Sequence, residues 1–195
     1  MRASRVAAPL CLLLWACATT PSAPAPTAPP PNWKLASVSP AQGNQFQGTV
    51  NGGQLSLTIN GRSINGPVTS LDVSGGFVRG TGSSGRSVDV TFKGNKAEGL
   101  LGSTLFSCIV DVQPDGSAHV TGAMGAGNTD FTLSPSSING RIGVVKYQLA
   151  WDQGKAQYQG QMEPGGYGFL QLPVSMSYWT DTEFACTLAL LLMGA

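Results

Sequence analysis

The sequence predicts an all-β fold: an antiparallel meander of repeated short hairpins forming a curved barrel or sandwich, with one carboxyl-terminal helix packed on it. Two observations predict the meander. From Gly53 onward, short runs alternating apolar and polar residues are punctuated by turn residues at close intervals, the pattern of antiparallel hairpins. The return runs also carry glycines, and glycine within a strand marks a bulge, a bend or a close backbone approach. A third observation predicts the helix: after Thr180 the chain turns to Ala, Leu and Met, with acids only at its start.

Taken in order, the first hairpin is QLSLTI, the turn NGRS, then INGPV with Gly66 and Val68. SLDV, SGG and FVRGTG follow, with Gly80 in the return run. SVDVTF, KGNK and AEGLLG come next, with Gly99 and Leu101. The fourth is SCIVDV, QPDG and AHVTGAMG, with Gly122 and Met124; the fifth is DFTLS, PSS and INGRIG, with Gly140 and Ile142. The sixth is YQLAW, DQGK and YQGQM, with Gly160 and Met162. In SVDVTF, Val88, Val90 and Phe92 share one face while Asp89 and Thr91 share the other. Repeated glycine kinks bend a sheet until it closes, so about a dozen strands are expected to curl into a barrel or a two-sheet sandwich. The strings SINGPV at Ser63 and SINGRIG at Ser137 look like copies of one hairpin half. Strands this short and glycine-rich do not suit a lipid-spanning barrel, which needs about 9–11 residues per strand and an apolar outer band.

FLQLPVSMSYW reads as one last extended segment, with Pro173 placing it at an edge or a bulge. A helix is expected over 181–193, where Thr180 and Glu183 fit a capping box and Gly194 is a stop. Its apolar residues run right round, so it should be buried on most sides, as a plug or lid over the open side of the curved sheet. A final strand, or a segment docking on a partner protein, is the alternative.

The amino-terminal region reads as three parts: a signal peptide over 1–16, a tether over 17–32, and a single β-rich domain over 33–195. Arg2 and Arg5 precede an apolar run from Val6 to Ala16, the layout of a secretory signal. The run is about half the ~20 residues a transmembrane helix needs. Thr19 to Asn32 is rich in proline, with Ala, Ser and Thr and no charge. Such a segment favours extended, polyproline-like conformations and forms no packed core.

Leu14-Trp15-Ala16-Cys17 resembles the lipobox of bacterial lipoproteins, although Trp15 stands where that family has a small residue. The resemblance implies a diacylglyceryl thioether on Cys17, cleavage before it and acylation of the new amino terminus. It also implies anchoring in the cell envelope, with Ala18 pointing to the outer membrane. The alternative is cleavage after Ala18, which would give a secreted or periplasmic protein. Further on, VDVTFKGNKAEGLLG is similar to the glycine-rich barrels of transferrin-binding-protein-type surface lipoproteins.

Cysteine accounting follows from that reading. Cys11 leaves with the signal and Cys17 takes the lipid, so Cys108 and Cys186 remain, and exported proteins are where such a remainder pairs. A bridge closing that loop would add about 4 kcal/mol in the chain-entropy model. In the strand around Cys108, Val110 and Val112 point the same way, toward the expected helix. Two cysteines and one histidine, His119, are too few for a conventional zinc site, and no cofactor is expected.

Charge and motifs exclude more than they suggest. The chain has 11 Lys and Arg against 10 Asp and Glu, and no basic stripe, so nucleic-acid binding is disfavoured. His119 is the histidine any Ser-His-Asp triad would have to use, yet SAHVTG reads as an exposed strand position. Glu98, Asp111 and Glu163 could form a glycosidase-like carboxylate pair only by converging across strands. GTGSSG lacks the lysine and helix of a phosphate loop, and DVQPDGSAH has acids too sparse for a calcium loop. Trp33, Trp151, Tyr158, Tyr167, Tyr178 and Trp179 are candidates for a ligand or protein patch, or for core filling. The expected function is therefore a non-catalytic binding or assembly module, bound to the membrane through Cys17 and to an envelope protein partner. The alternative is a small-ligand or lipid-binding barrel with an internal cavity.

Overall fold

The fold, taken from a computed structural model, is described over residues 43–50, 52–124 and 127–194. The predicted signal, Cys17, the proline-rich tether and Trp33 lie outside the described residues. Each of the six sequence hairpins forms a strand pair, and a strand is added at either end. The strands are β1 (Gln45–Val50), β2 (Gly53–Asn60), β3 (Ser63–Asn65), β4 (Ser70–Ser74) and β5 (Phe77–Thr81). They continue with β6 (Ser87–Lys93), β7 (Lys96–Leu101), β8 (Thr104–Val112), β9 (Ala118–Met124) and β10 (Gly127–Leu133). β11 (Ser137–Ile142), β12 (Val145–Asp152), β13 (Gln157–Glu163) and β14 (Gly166–Gln171) complete the set. Every strand pairs antiparallel with its sequence neighbours, and β1 pairs with β14 through Gln47–Gln171 and Gly48–Leu170. The meander is thus a closed barrel, not a sandwich.

Alternation decides which side chains face inward. Val88 and Val90 are buried on β6 while Asp89 and Thr91 are exposed, and the same rhythm places Cys108 and Val110 inside on β8. The outward positions of β4 to β10 carry Asp72, Arg79, Asp89, Lys96, Glu98 and Asp111, side chains suited to water.

The recurrent glycines lie where neighbouring strands press close. Gly80, Gly99, Gly122, Gly140 and Gly160 occupy inward positions of β5, β7, β9, β11 and β13. A Cβ at any of them would run into a backbone carbonyl oxygen of the preceding strand: Ser70, Asp89, Ser107, Asp130 and Gln148 respectively. One glycine per return strand therefore lets the sheet coil tightly enough to close. Gly66 differs, lying in the β3–β4 turn, where its N–H donates to Thr69 O at 2.9 Å.

An eight-stranded barrel is filled by its own side chains, and wider barrels leave a lumen. With 14 strands this barrel needs a filler, and the helix α1 (Asp181–Leu192) provides it. Residues 182–192 of α1 are all buried, and at about 1.5 Å per residue the helix is about 18 Å long. It is bonded at both rims. Thr182 Oγ1 donates to Gly94 O at 2.8 Å and Arg62 to Glu183 at 2.7 Å near its start. Tyr147 O–H donates to Leu192 O at 3.4 Å, and Ser84 N–H to Gly194 O at 3.2 Å, near its end.

Three sequence expectations are refined. The helix ends at Leu192 with Met193 as its cap, one residue short of 193. It threads the lumen, so the barrel has no open side for it to cover. The last extended segment stops at Gln171, and Pro173 opens a 3₁₀ helix over Val174–Tyr178, because proline fixes φ and offers no N–H to a ladder. The capping box forms as read: Glu183 N–H donates to Thr180 Oγ1 and Thr180 N–H to Glu183 Oε2. No helix among the described residues is long and apolar enough to cross a membrane.

Candidate binding face

The lumen is the first place to look for a site, and packing fills it. Phe46, Phe131, Tyr147, Phe184 and Leu188 belong to one continuous buried cluster contributed by strands and helix alike. A ligand-carrying barrel would use this space for its cargo; here α1 takes it. Cys108 on β8 and Cys186 on α1 meet in this core, 1% and 0% exposed. They stand as two free thiols. Burial, then the neighbouring Cys108, push the Cys186 thiol well above its usual value, which keeps it protonated and unreactive.

The candidate catalytic groups do not assemble into a cleft. His119 faces outward on β9, as read, with Nε2 2.9 Å from Asp130 Oδ1 and its side chain 41% exposed. Its cross-strand partner Asp111 is instead held by Asn95, whose Nδ2 donates at 3.1 Å. Glu98 lies outward on β7, and Glu163 ends β13 far round the sheet, so the carboxylates suggested as a pair are not brought together. GTGSSG is a turn, closed by Gly82 N–H donating to Arg86 O at 2.8 Å. In the β8–β9 turn, Asp115 Oδ1 accepts from Ser117 N–H and Oγ–H at 2.9 and 2.7 Å. Those two hydrogen bonds hold its carboxyl below the usual carboxylate range.

Of the aromatic candidates, Tyr158 and Trp179 are core residues. Trp151 packs edge-on against Tyr158 at 5.0 Å, half-buried at the rim. Tyr167 and Tyr178 are 64% and 78% exposed. Tyr178 borders a rim concavity of about 280 Å³ beside Arg62 and Trp179. The polar groups there are committed to the fold: Arg62 to Val73 O and Glu183, Trp179 Nε1–H to Gly61 O, and Ser175 to Ile59 O.

The outer face running from β12 through β13, β14 and β1 to β2 is different in kind. Eight of the chain's eleven glutamines lie on these five strands: Gln45, Gln47, Gln54, Gln148, Gln157, Gln159, Gln161 and Gln171. Gln153 adds a ninth in the β12–β13 turn. The opposite half of the barrel carries most of the charges. On β12 and β13 the register sets Gln148 beside Gln161 and Ala150 beside Gln159. On β14 Tyr167 lies beside Gln161 and half-buried Phe169 beside Gln159. Within this face is a shallow groove of about 700 Å³ that reaches from Trp151 and the β12–β13 turn to Tyr167.

Part of the groove is held in place. Asp152 Oδ2 accepts from Gln159 Nε2 at 2.6 Å, and its Oδ1 accepts from the N–H groups of Gly154 and Lys155 at 2.9 and 3.2 Å. Gln159 Oε1 in turn accepts from Gln157 Nε2 and Lys155 Nζ, each at 3.2 Å. Its other groups are unspent. Among the described residues, no side chain engages the amides of Gln148 and Gln161.

Comparison with protein-family models, with curated proteins and with solved structures found no match. The glutamine face was missed in the sequence because it exists only after closure. Gln45, Gln47 and Gln54 join Gln148 to Gln171 when β1 zips to β14.

Proposed function

We propose that the chain is an envelope-anchored lipoprotein whose barrel serves as a non-catalytic binding or assembly module facing the periplasm or the cell surface. The observation that supports this best is the groove between Trp151 and Tyr167: a preformed concavity on a rigid sheet, with uncommitted amides and an exposed aromatic ring. Convergent polar groups on a pre-formed concave surface are the ordinary makings of a recognition site. The lipobox-like Leu14 to Cys17 and the proline-rich segment after it support tethering. Two or three acyl chains on Cys17 would anchor durably, where one would not.

In such a compartment Cys108 and Cys186 would close into a bridge. Each thiol gives up a proton and an electron, and a dithiol oxidase of the envelope takes the electron pair as its own disulfide is reduced. Because both sulfurs are buried, that reaction belongs to folding, before the barrel shuts around α1.

Replacing Cys17 by Ser tests the anchor. Cells expressing the Cys17→Ser chain should release it from the membrane fraction, while the parent protein sediments with envelopes and leaves them only in detergent. Unchanged sedimentation of the variant would remove the lipid from the account.

A further inference from the structure

We infer that the β12–β14 groove binds a neutral oligosaccharide; the inference rests on the binding-module reading and names its ligand class. Three features of the groove select this chemistry. First, its polar groups are amides. A glutamine amide offers two N–H donors and an acceptor carbonyl at once, which suits hydroxyls that both give and accept hydrogen bonds. Gln148 and Gln161 sit side by side across β12 and β13 with no internal side-chain partner among the described residues, while Asp152 fixes Gln159 by the 2.6 Å contact with its Nε2.

Second, the groove has an exposed aromatic ring at one end, Tyr167, 64% exposed, while Trp151 at the other end turns inward against Tyr158 and the core. An exposed aromatic ring pairs a flat apolar surface with a polar tip, and the C–H faces of a pyranose ring pack on such a surface. The register between Asp152–Gln157 and Gln148–Gln161 spans four residues, about 13 Å along a strand, room for a short oligosaccharide.

Third, its charge is wrong for the alternatives. Asp152 and Lys155 are bonded to the groove's own backbone and amides, so no cluster of cations awaits a phosphate or an acidic polymer. A protein partner would require a desolvated apolar centre. Here the centre holds Gln148, Gln159, Gln161, the small Ala150 and the bare backbone of Gly160, with the exposed Tyr167 ring at one end.

The test is a titration of the full mature chain, solubilised from envelopes in mild detergent, with maltohexaose, cellohexaose, chitohexaose and a neutral mannan fragment. Side-chain amide resonances of the glutamines are followed by NMR. At least one sugar should shift Gln148, Gln159 and Gln161 saturably and leave Gln113, on the β8–β9 turn, unmoved. Tyr167→Ala should weaken that binding roughly fivefold to tenfold, about the value of one lost aromatic contact, with an unchanged backbone spectrum. No saturable shift with any of the four sugars would overturn the assignment. If a purified envelope protein binds the same face, loses affinity in Tyr167→Ala and the sugars do nothing, the glycan is wrong and the binding module stands. If neither sugar nor protein engages the face, both readings fail together.

Discussion

Glu183 ties the helix to the barrel through Arg62 while it closes the helix's own cap through Thr180. Its side chain is 7% exposed; one oxygen accepts from Arg62 at 2.7 Å and the other from Thr180 N–H at 2.9 Å. Burial pushes this carboxyl upward, but the Arg62 hydrogen bond, the Thr180 N–H and the Arg62 charge outweigh it, so it sits below its ordinary 4.5. A carboxyl depressed by folding adds stability that is fully present above its unfolded value and is lost as pH falls through its folded one. Unfolding by urea should therefore show the parent protein losing stability below about pH 4.5 relative to Glu183→Gln, whose side chain does not titrate there. At pH 7 the variant should be less stable by about 1–2 kcal/mol, the scale of a capping contact plus a charge-assisted hydrogen bond. A parent-minus-variant difference that is flat with pH would show that the Arg62–Glu183 contact does not couple helix to rim.

At the scale of elements, the account turns on the glycine in each return strand and on the helix it allows the sheet to enclose. Gly99 isolates the packing part of that claim, since its φ is not in the left-handed region and the cost of a side chain there is contact alone. Gly99→Ala drives a Cβ into Asp89 O and the Val90 backbone, which cannot rotate away. It should cost at least about 2 kcal/mol, the middle of the range for overpacking. Gly94→Ala, in the open β6–β7 turn with φ +59 and nothing near its Cβ position, should cost about 1 kcal/mol, the lower end of the left-handed penalty. Equal costs in denaturant titrations would contradict a special role for the return-strand glycines. Much of this was legible in the sequence. Alternation in SVDVTF and turn residues such as KGNK are local signals, and the Thr180–Glu183 box is read from two residues. The missing strand was β1, and β14 was read only in its second half, as the start of the last extended segment. QFQGTV carries a glycine and only two large apolar residues, and GYGFLQ merges into the apolar run that Pro173 breaks. The all-round apolar character of α1 showed that it is buried, but not whether the sheet covers it on one side or surrounds it. That distinction depends on strand number, and closure through β1 and β14 settles it.

At the scale of the molecule, topology assigns each region a place. β1 starts at the rim where α1 also begins: Asn44 O accepts from Ile59 N–H at 2.7 Å, and Asn44 Nδ2 donates to Asn60 at 3.1 Å. Asn44 thus lies at the rim of the β2–β3 turn, and the glutamine face lies along the flank of the barrel. The face itself could not be foreseen, because the residues composing it are drawn from both ends of a meander that is closed by two strands with weak signals. The claim underlying all of this is that the barrel is exported and lipid-anchored, and the intact mass of the protein purified from envelopes without reductant tests it most directly. The predicted result is a chain beginning at Cys17, heavier by a diacylglyceryl group and an amide-linked acyl chain, and lighter by two hydrogens because Cys108 and Cys186 are bridged. An unmodified chain beginning at Thr19, recovered from the soluble fraction, would contradict it.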